Sequence, residues 1–464
     1  MKKRSFALLN LFLIFVFLLT SGFGCKNPGK AVQEKLQPVT LEYWRLWDDA
    51  DAFDEIISDY RTLHPNIQIN YRKFRYEEYE KALLEAWAED RGPDLFSINE
   101  SWLRKYQSRI EPMPDEITMA YQVVKGSLKK EITSQLRTKK TPSLRQLKAD
   151  FVDTVYHDVL IDGRVYGLPL SLETLVMFYN RSILNKAGIA QPPASWKDFQ
   201  KSVEKSTKFD SQGNIIQSGT AMGTGNNINS SVDLLSVLMM QDGATMTDAN
   251  GSPTFFNQTA KDRNPGQEAL KFYLDFSNPT KNVYSWNSDQ LNYLDAFLTG
   301  KVGMIFSYNY QLPVIRSRAP KLNFGVAPTP QVNSGDSKNF ANYFVETVSK
   351  KSKHTNEAWD FILFASREKE GSEADSRYRV EKFLNKTNRP TALRDLVNSQ
   401  LENEDLYATA SQVLTASNWY RCQDAIAADT AIKEMIDLLN KATTEREIDT
   451  IIRNALQKIN QTNR

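Results

Sequence analysis

Three histidines, two cysteines and 56 acidic side chains are the groups in this chain with obvious reactive or ligating chemistry. His64, His157 and His354 lie far apart, and none stands in an H-E-x-x-H spacing, so no zinc site is expected. Cys25 and Cys422 make no disulfide framework, and Cys422 reads as a small buried hydrophobe rather than a nucleophile. No G-x-x-x-x-G-K-[ST] loop cradles phosphate and no G-x-S-x-G elbow presents a serine. Gly223-Thr224-Gly225 lacks the third glycine of a dinucleotide fingerprint, and no cofactor is implied. General acid–base work needs only two carboxylates, yet no pair among so many stands out. The abundant chemistry is aromatic: 8 Trp, 19 Tyr and 24 Phe. Flat rings cover the apolar C–H faces of a sugar, while Asp, Glu, Asn and Arg bond its hydroxyls. A polyamine site would need several acids among the rings, and a metal site would need Tyr or His clusters. This set fits a sugar best.

The body that must position such rings is large. A chain of 464 residues exceeds one ordinary core and predicts two or three domains. Apolar residues at 41% and charged residues at 25% are ordinary for a globular protein. A net charge of +2 supplies no basic field for nucleic acid.

The first residues read as an address. Lys2, Lys3 and Arg4 precede the apolar run Phe6–Leu19, followed by Thr20 to Cys25. Gly24-Cys25 resembles the lipobox of bacterial lipoproteins, which implies a signal peptide over 1–24 and a lipidated Cys25; Gly22 stands where that pattern usually has Leu. The alternative is an uncleaved anchor, since Phe6–Gly24 is 19 residues, about the minimum to span a bilayer. Residues 25–38 read as a polar tether. Either way the body lies outside the cytoplasmic membrane, held to its outer face.

From Val39 the pattern is β-α-β-α-β. Val39–Trp47 is extended, Phe53 to Leu63 has helical spacing, Ile67 to Tyr71 alternates, Tyr76 to Trp87 forms a helical stripe, and Asp94–Asn99 is a third strand. This order predicts a parallel-rich sheet flanked by helices, with ligands beyond the carboxyl ends of its strands. Trp44, Trp47, Asn99, Glu100 and Trp102 therefore become candidate site residues. Trp87, Trp196 and Trp359 sit in helical stripes or helix starts and read as core. Residues 116–150 are basic and read as a solvated helical insertion.

The chain further resembles the extracellular solute-binding proteins of family 1, the family of the maltose-binding protein. The resemblance rests on Leu41–Trp47, Tyr60–Pro65, Asn66–Asn70, Gly92-Pro93-Asp94-Leu95, Val165–Pro169 with Thr174–Asn180, Pro192–Trp196, Gly300–Met304 and Phe324–Pro328, in order over roughly residues 40–460. It implies an α/β, two-lobed periplasmic-binding-protein-like fold of type II with the ligand cleft at the hinge. Lobe one is placed at 39–172 plus 345–405 and lobe two at 177–340 plus 406–464. It implies ligand contacts at Glu173, Tyr308, Tyr310, Trp419 and Tyr420, with core packing as the rival for each ring and a hinge ion pair as the rival for Glu173. It also implies a monomer without catalysis that delivers a mono- or oligosaccharide to the permease of an ABC transporter. A secreted glycoside hydrolase, a binder of another polar solute and a structural surface lipoprotein are the alternatives.

Overall fold

The computed structural model describes residues 30–125, 131–248, 251–258, 262–372, 375–419 and 422–462. The leader, Cys25 and Tyr420 lie outside the described residues.

The predicted β-α-β-α-β run folds as one face-covered sheet. Strand Val39–Leu46 pairs in parallel with Ile67–Phe74 on one side and Leu95–Asn99 on the other. Both faces are covered, so Leu41, Tyr43, Trp44 and Leu46 are all buried rather than alternating. Helix Asp54–Leu63 buries Ile56 and Tyr60, and helix Tyr76–Ala88 buries Tyr79, Leu83 and Trp87. Strand Phe344–Ser349 then enters antiparallel to Leu95–Asn99. It returns directly from the second lobe and needs no helical crossover. Helix Thr355–Ser366 closes this core through Trp359 and Phe361.

The second lobe has a five-stranded sheet in the order Lys208–Phe209, Ile215–Thr220, Val302–Ser307, Val176–Asn180, Phe324–Pro328. Here the parallel expectation holds only between Ile215–Thr220 and Val302–Ser307. Val176–Asn180 arrives from the first lobe and runs antiparallel to both its neighbours. Its side chains are buried on both faces, Met177 among residues of helices Ser231–Asp242 and Ala425–Leu439, and Phe178 in a second cluster with Trp286 and Phe297.

The two cores meet at a small sheet made of three chain crossings. Glu173–Thr174 pairs antiparallel with Asn339–Asn342, which pairs in parallel with Ala416–Ser417. The last of these strands follows helix Tyr407–Ala410, whose Ala408 is buried in the second-lobe cluster of Phe178.

The basic stretch 116–150 departs from its expected helical form. Glu116–Lys125 and Glu131–Lys140 form an antiparallel hairpin, and only Leu144–Asp150 is helical, opened by a Ser143–Gln146 capping box. The physical reason was present as alternation: Ile117, Met119 and Tyr121 point inward and are buried. They seat the hairpin on the first lobe, where His64 Nδ1 lies 3.0 Å from the Ala120 carbonyl and Tyr121 donates to Asp360 at 3.0 Å.

Candidate ligand cleft

Strand Val39–Leu46 ends in a tight turn in which the Asp48 amide donates to the Leu46 carbonyl at 2.8 Å. Trp47, at its centre, takes φ +69°, a strained conformation for a bulky residue. The turn throws the indole out of the sheet, and Trp47 is 51% exposed. Across the lobe boundary, strand Val302–Ser307 runs into a short helical turn at Asn309–Gln311, which presents Tyr310 at 44% exposure.

These two rings face one another. Trp47 and Tyr310 have centroids 6.4 Å apart and planes 10° apart. Tyr76, at the first turn of its helix, stacks on Trp47 at 5.6 Å, and Trp102 follows Tyr76 at 6.3 Å. On the other side Tyr308 stacks beneath Tyr310 at 5.8 Å, its hydroxyl donating to Asp233 at 2.6 Å. Five rings thus form one row, three from the first lobe and two from the second. Tyr76 was assigned to a helical core stripe in sequence; its place at the helix start puts the ring past the end of the packed face.

A buried polar chain runs beside this row. Glu173, 5% exposed in the first hinge strand, accepts from the Asn309 amide at 3.1 Å through Oε2. Its Oε1 has no hydrogen-bond partner and lies 3.7 Å from Arg389 Nη1. Arg389 also donates to Asp48 Oδ1 through Nη2 at 2.9 Å and Nε at 3.2 Å. Arg45 follows, 3.5 Å from Asp48 and 3.4 Å from Glu346. Burial pushes the Glu173 carboxyl up to about 7, while Arg389 and the Asn309 amide pull against that rise. Asp158 is likewise raised to about 6 by lost hydration, against hydrogen bonds from Tyr343 at 2.6 Å, Asn418 at 2.8 Å and Thr154 at 3.2 Å. Because Asn418 follows the third hinge strand, Asp158 ties the first lobe to that crossing.

Other candidates fall elsewhere. Trp44 is not at the cleft: it is buried in the sheet core against Phe74, with Arg72 over its ring. Trp419 is in the second core, its indole donating to Ser236 at 2.9 Å and its ring edge-on to Phe255. Asn99 Nδ2 is taken up by Asn342 at 2.9 Å and the Tyr343 carbonyl at 3.2 Å, and Glu100 Oε2 accepts from the Tyr343 amide at 3.4 Å. Both therefore bind the hinge return of the chain. Trp102 is buried at the closed end of the row. Sequence reasoning missed Arg389 and Asp158 as well as Tyr76, and no local pattern marks either polar residue.

Comparison with known proteins accords with this arrangement. The family model described as bacterial extracellular solute-binding protein matches residues 47–371. A binding protein of Brucella abortus is 26% identical over 230 residues, 47% of this chain and 51% of that protein. The arabinooligosaccharide-binding protein of Bacillus subtilis is 25% identical over 238 residues, 50% of this chain and 51% of that protein. The match thus spans about half the length of either relative. The structure of the sugar-binding protein MalE of Xanthomonas citri superposes with a TM-score of 0.67 at 16% identity, covering 91% of this chain and 98% of that one. Two lobes, three crossings and a model match over most of the body lead to one conclusion: the chain belongs to the bacterial extracellular solute-binding proteins.

Proposed function

We propose that this protein is the extracytoplasmic binding component of an ABC importer and that it takes a mono- or oligosaccharide between two lobes that close on it. The observation that carries this reading is the row of Trp102, Tyr76, Trp47, Tyr310 and Tyr308, which crosses the lobe boundary with its central rings exposed. Parallel rings on opposite lobes offer flat apolar faces to a sugar ring, and the adjoining carboxylate of Glu173 accepts from hydroxyls. The oligosaccharide named for the Bacillus subtilis relative and the sugar named for the Xanthomonas citri protein support the ligand class. In this reading the lobes are hinged at the three short crossing strands, and closure is a population shift rewarded by the ligand. The protein performs no catalysis, acts as a monomer and hands its cargo to the permease. A lipid on Cys25 tethers it to the outer face of the membrane.

A thermal-shift screen of the chain against mono-, di- and trisaccharides, polyamines and amino acids tests the reading. A ligand at a hundredfold excess over its dissociation constant adds about 2.7 kcal/mol to stability by mass action. Stabilisation by a sugar that is recovered unchanged is the expected result. Stabilisation only by a non-sugar overturns the ligand class, and sugar turnover overturns the binding role.

A further inference from the structure

Asp48 and Glu173 are two acids that share one guanidinium, that of Arg389. Asp48 directly follows Trp47 in the first lobe, and Glu173 lies at the first crossing, holding the amide of Asn309 next to Tyr310. The path from one ring to the other is therefore Trp47, Asp48, Arg389, Glu173, Asn309, Tyr310, hydrogen-bonded from Arg389 to Asp48 and from Asn309 to Glu173 and joined between Arg389 and Glu173 by an ion pair at 3.7 Å. The side chains of Asp48 and Glu173 are 8% and 7% exposed, and that of Arg389 is 17% exposed. Arg389 itself is fixed on the first lobe. Gln400 donates to its carbonyl at 3.1 Å, and Leu172 donates to the carbonyl of Pro390 at 3.1 Å. The preceding Asn388 has φ +49° and holds Asp405, which grips Arg316 of the second lobe through two 2.7 Å hydrogen bonds.

We infer that Arg389 is the positioning residue for closure, neutralising Asp48 and Glu173 so that Trp47 and Tyr310 can approach across the cleft. Asp48 and Arg389 both belong to the first lobe, so opening leaves their pair in place and frees Glu173 from the Asn309 amide; closing without Arg389 buries Glu173 beside Asp48 with its own cation gone. Arg389 holds Asp48 on one side and faces Glu173 on the other, so its effect on the rings passes through these two acids.

The test measures lobe separation in the ligand-free chain at about pH 9, where the Glu173 carboxyl is ionised. Spin labels at Glu77→Cys, beside Tyr76, and Val314→Cys, beyond Tyr310, report the two rims; Cys25 is replaced by Ser, and Cys422 is buried. Arg389→Gln is expected to raise the open-to-closed ratio about tenfold or more, because buried Glu173 loses the cation 3.7 Å from it. Adding Glu173→Gln to that variant removes one of the two charges and is expected to return the distance towards that of the unaltered residue. A single variant that fails to fold while the double variant folds and closes supports the same assignment. An unchanged distance in the single variant, a double variant as open as the single, or two unfolded variants overturns it. The inference rests on the binding reading for its meaning, but its readout uses no ligand. Failure of every sugar in the screen would sink the sugar assignment and leave this result standing.

Discussion

Replacing Glu173 by Gln should flatten a specific part of the protein's pH–stability profile. The carboxyl is 5% exposed, and its burial raises it from an ordinary 4.5 to about 7. The folded chain therefore holds this proton over a range where the unfolded chain has lost it. Stability contributed by protonated Glu173 is complete below about 4.5 and is lost as pH rises through about 7. The shift corresponds to about 3 kcal/mol in total, with a slope of at most about 1.4 kcal/mol per pH unit. Arg389, Asp48 and Tyr310 face position 173 in both proteins, so the comparison changes only the side chain at that position. Gln keeps the shape and can still accept from the Asn309 amide, although its amide nitrogen then faces Arg389. That fixed cost moves the whole curve and leaves its slope alone. Chemical unfolding of both proteins at intervals from pH 4.5 to 8 supplies the two profiles. The Glu173 protein should weaken relative to the variant as pH rises, by about 3 kcal/mol over the window. A flat difference, or one that favours Glu173 at higher pH, would refute the claim that lost hydration outweighs the pull of Arg389.

Trp47→Ala and Tyr310→Ala should each weaken sugar binding by about 1–3 kcal/mol in titration calorimetry, with the ligand-free melting temperature nearly unchanged because both rings are half-exposed. Trp419→Ala should do the opposite, costing about 3–5 kcal/mol of stability as a buried ring of the second core, read by chemical unfolding. Gly225→Ala should destabilise by about 1–3 kcal/mol, because the new Cβ would stand 2.2 Å from the Lys433 carbonyl of the late helix Ala425–Leu439. A variant that melts like its parent would show that the loop and helix separate freely.

The legible part of the architecture was whatever repeats locally. Helices 54–63 and 76–88 and the strands around them announce themselves by period, and the crossing at Glu173 was placed by resemblance in the stretch from Val165 to Asn180. Period also misled. The same strand–turn reading put Trp44 and Trp47 at the cleft together, yet Trp44 lies within a sheet covered on both faces while Trp47 follows its last residue and is turned outward. Tyr76 was read into the stripe that ends in Trp87, although the first residue of a helix has no preceding turn to bury it. In the 116–140 hairpin, lysines drew attention from the alternation of Ile117, Met119 and Tyr121. The polar chain was beyond reach for a different reason. Arg389 meets Asp48 across 341 residues of sequence, and neither neighbourhood carries a periodic or compositional mark of the other. Rings could be nominated because each is a sugar platform by its own chemistry. A guanidinium between two acids acquires its function only from what folding brings to it. The residues that govern closure are thus the ones a sequence exposes least, and the measured spacing of two rims, rather than the loss of a ring, is the observation that would reveal them.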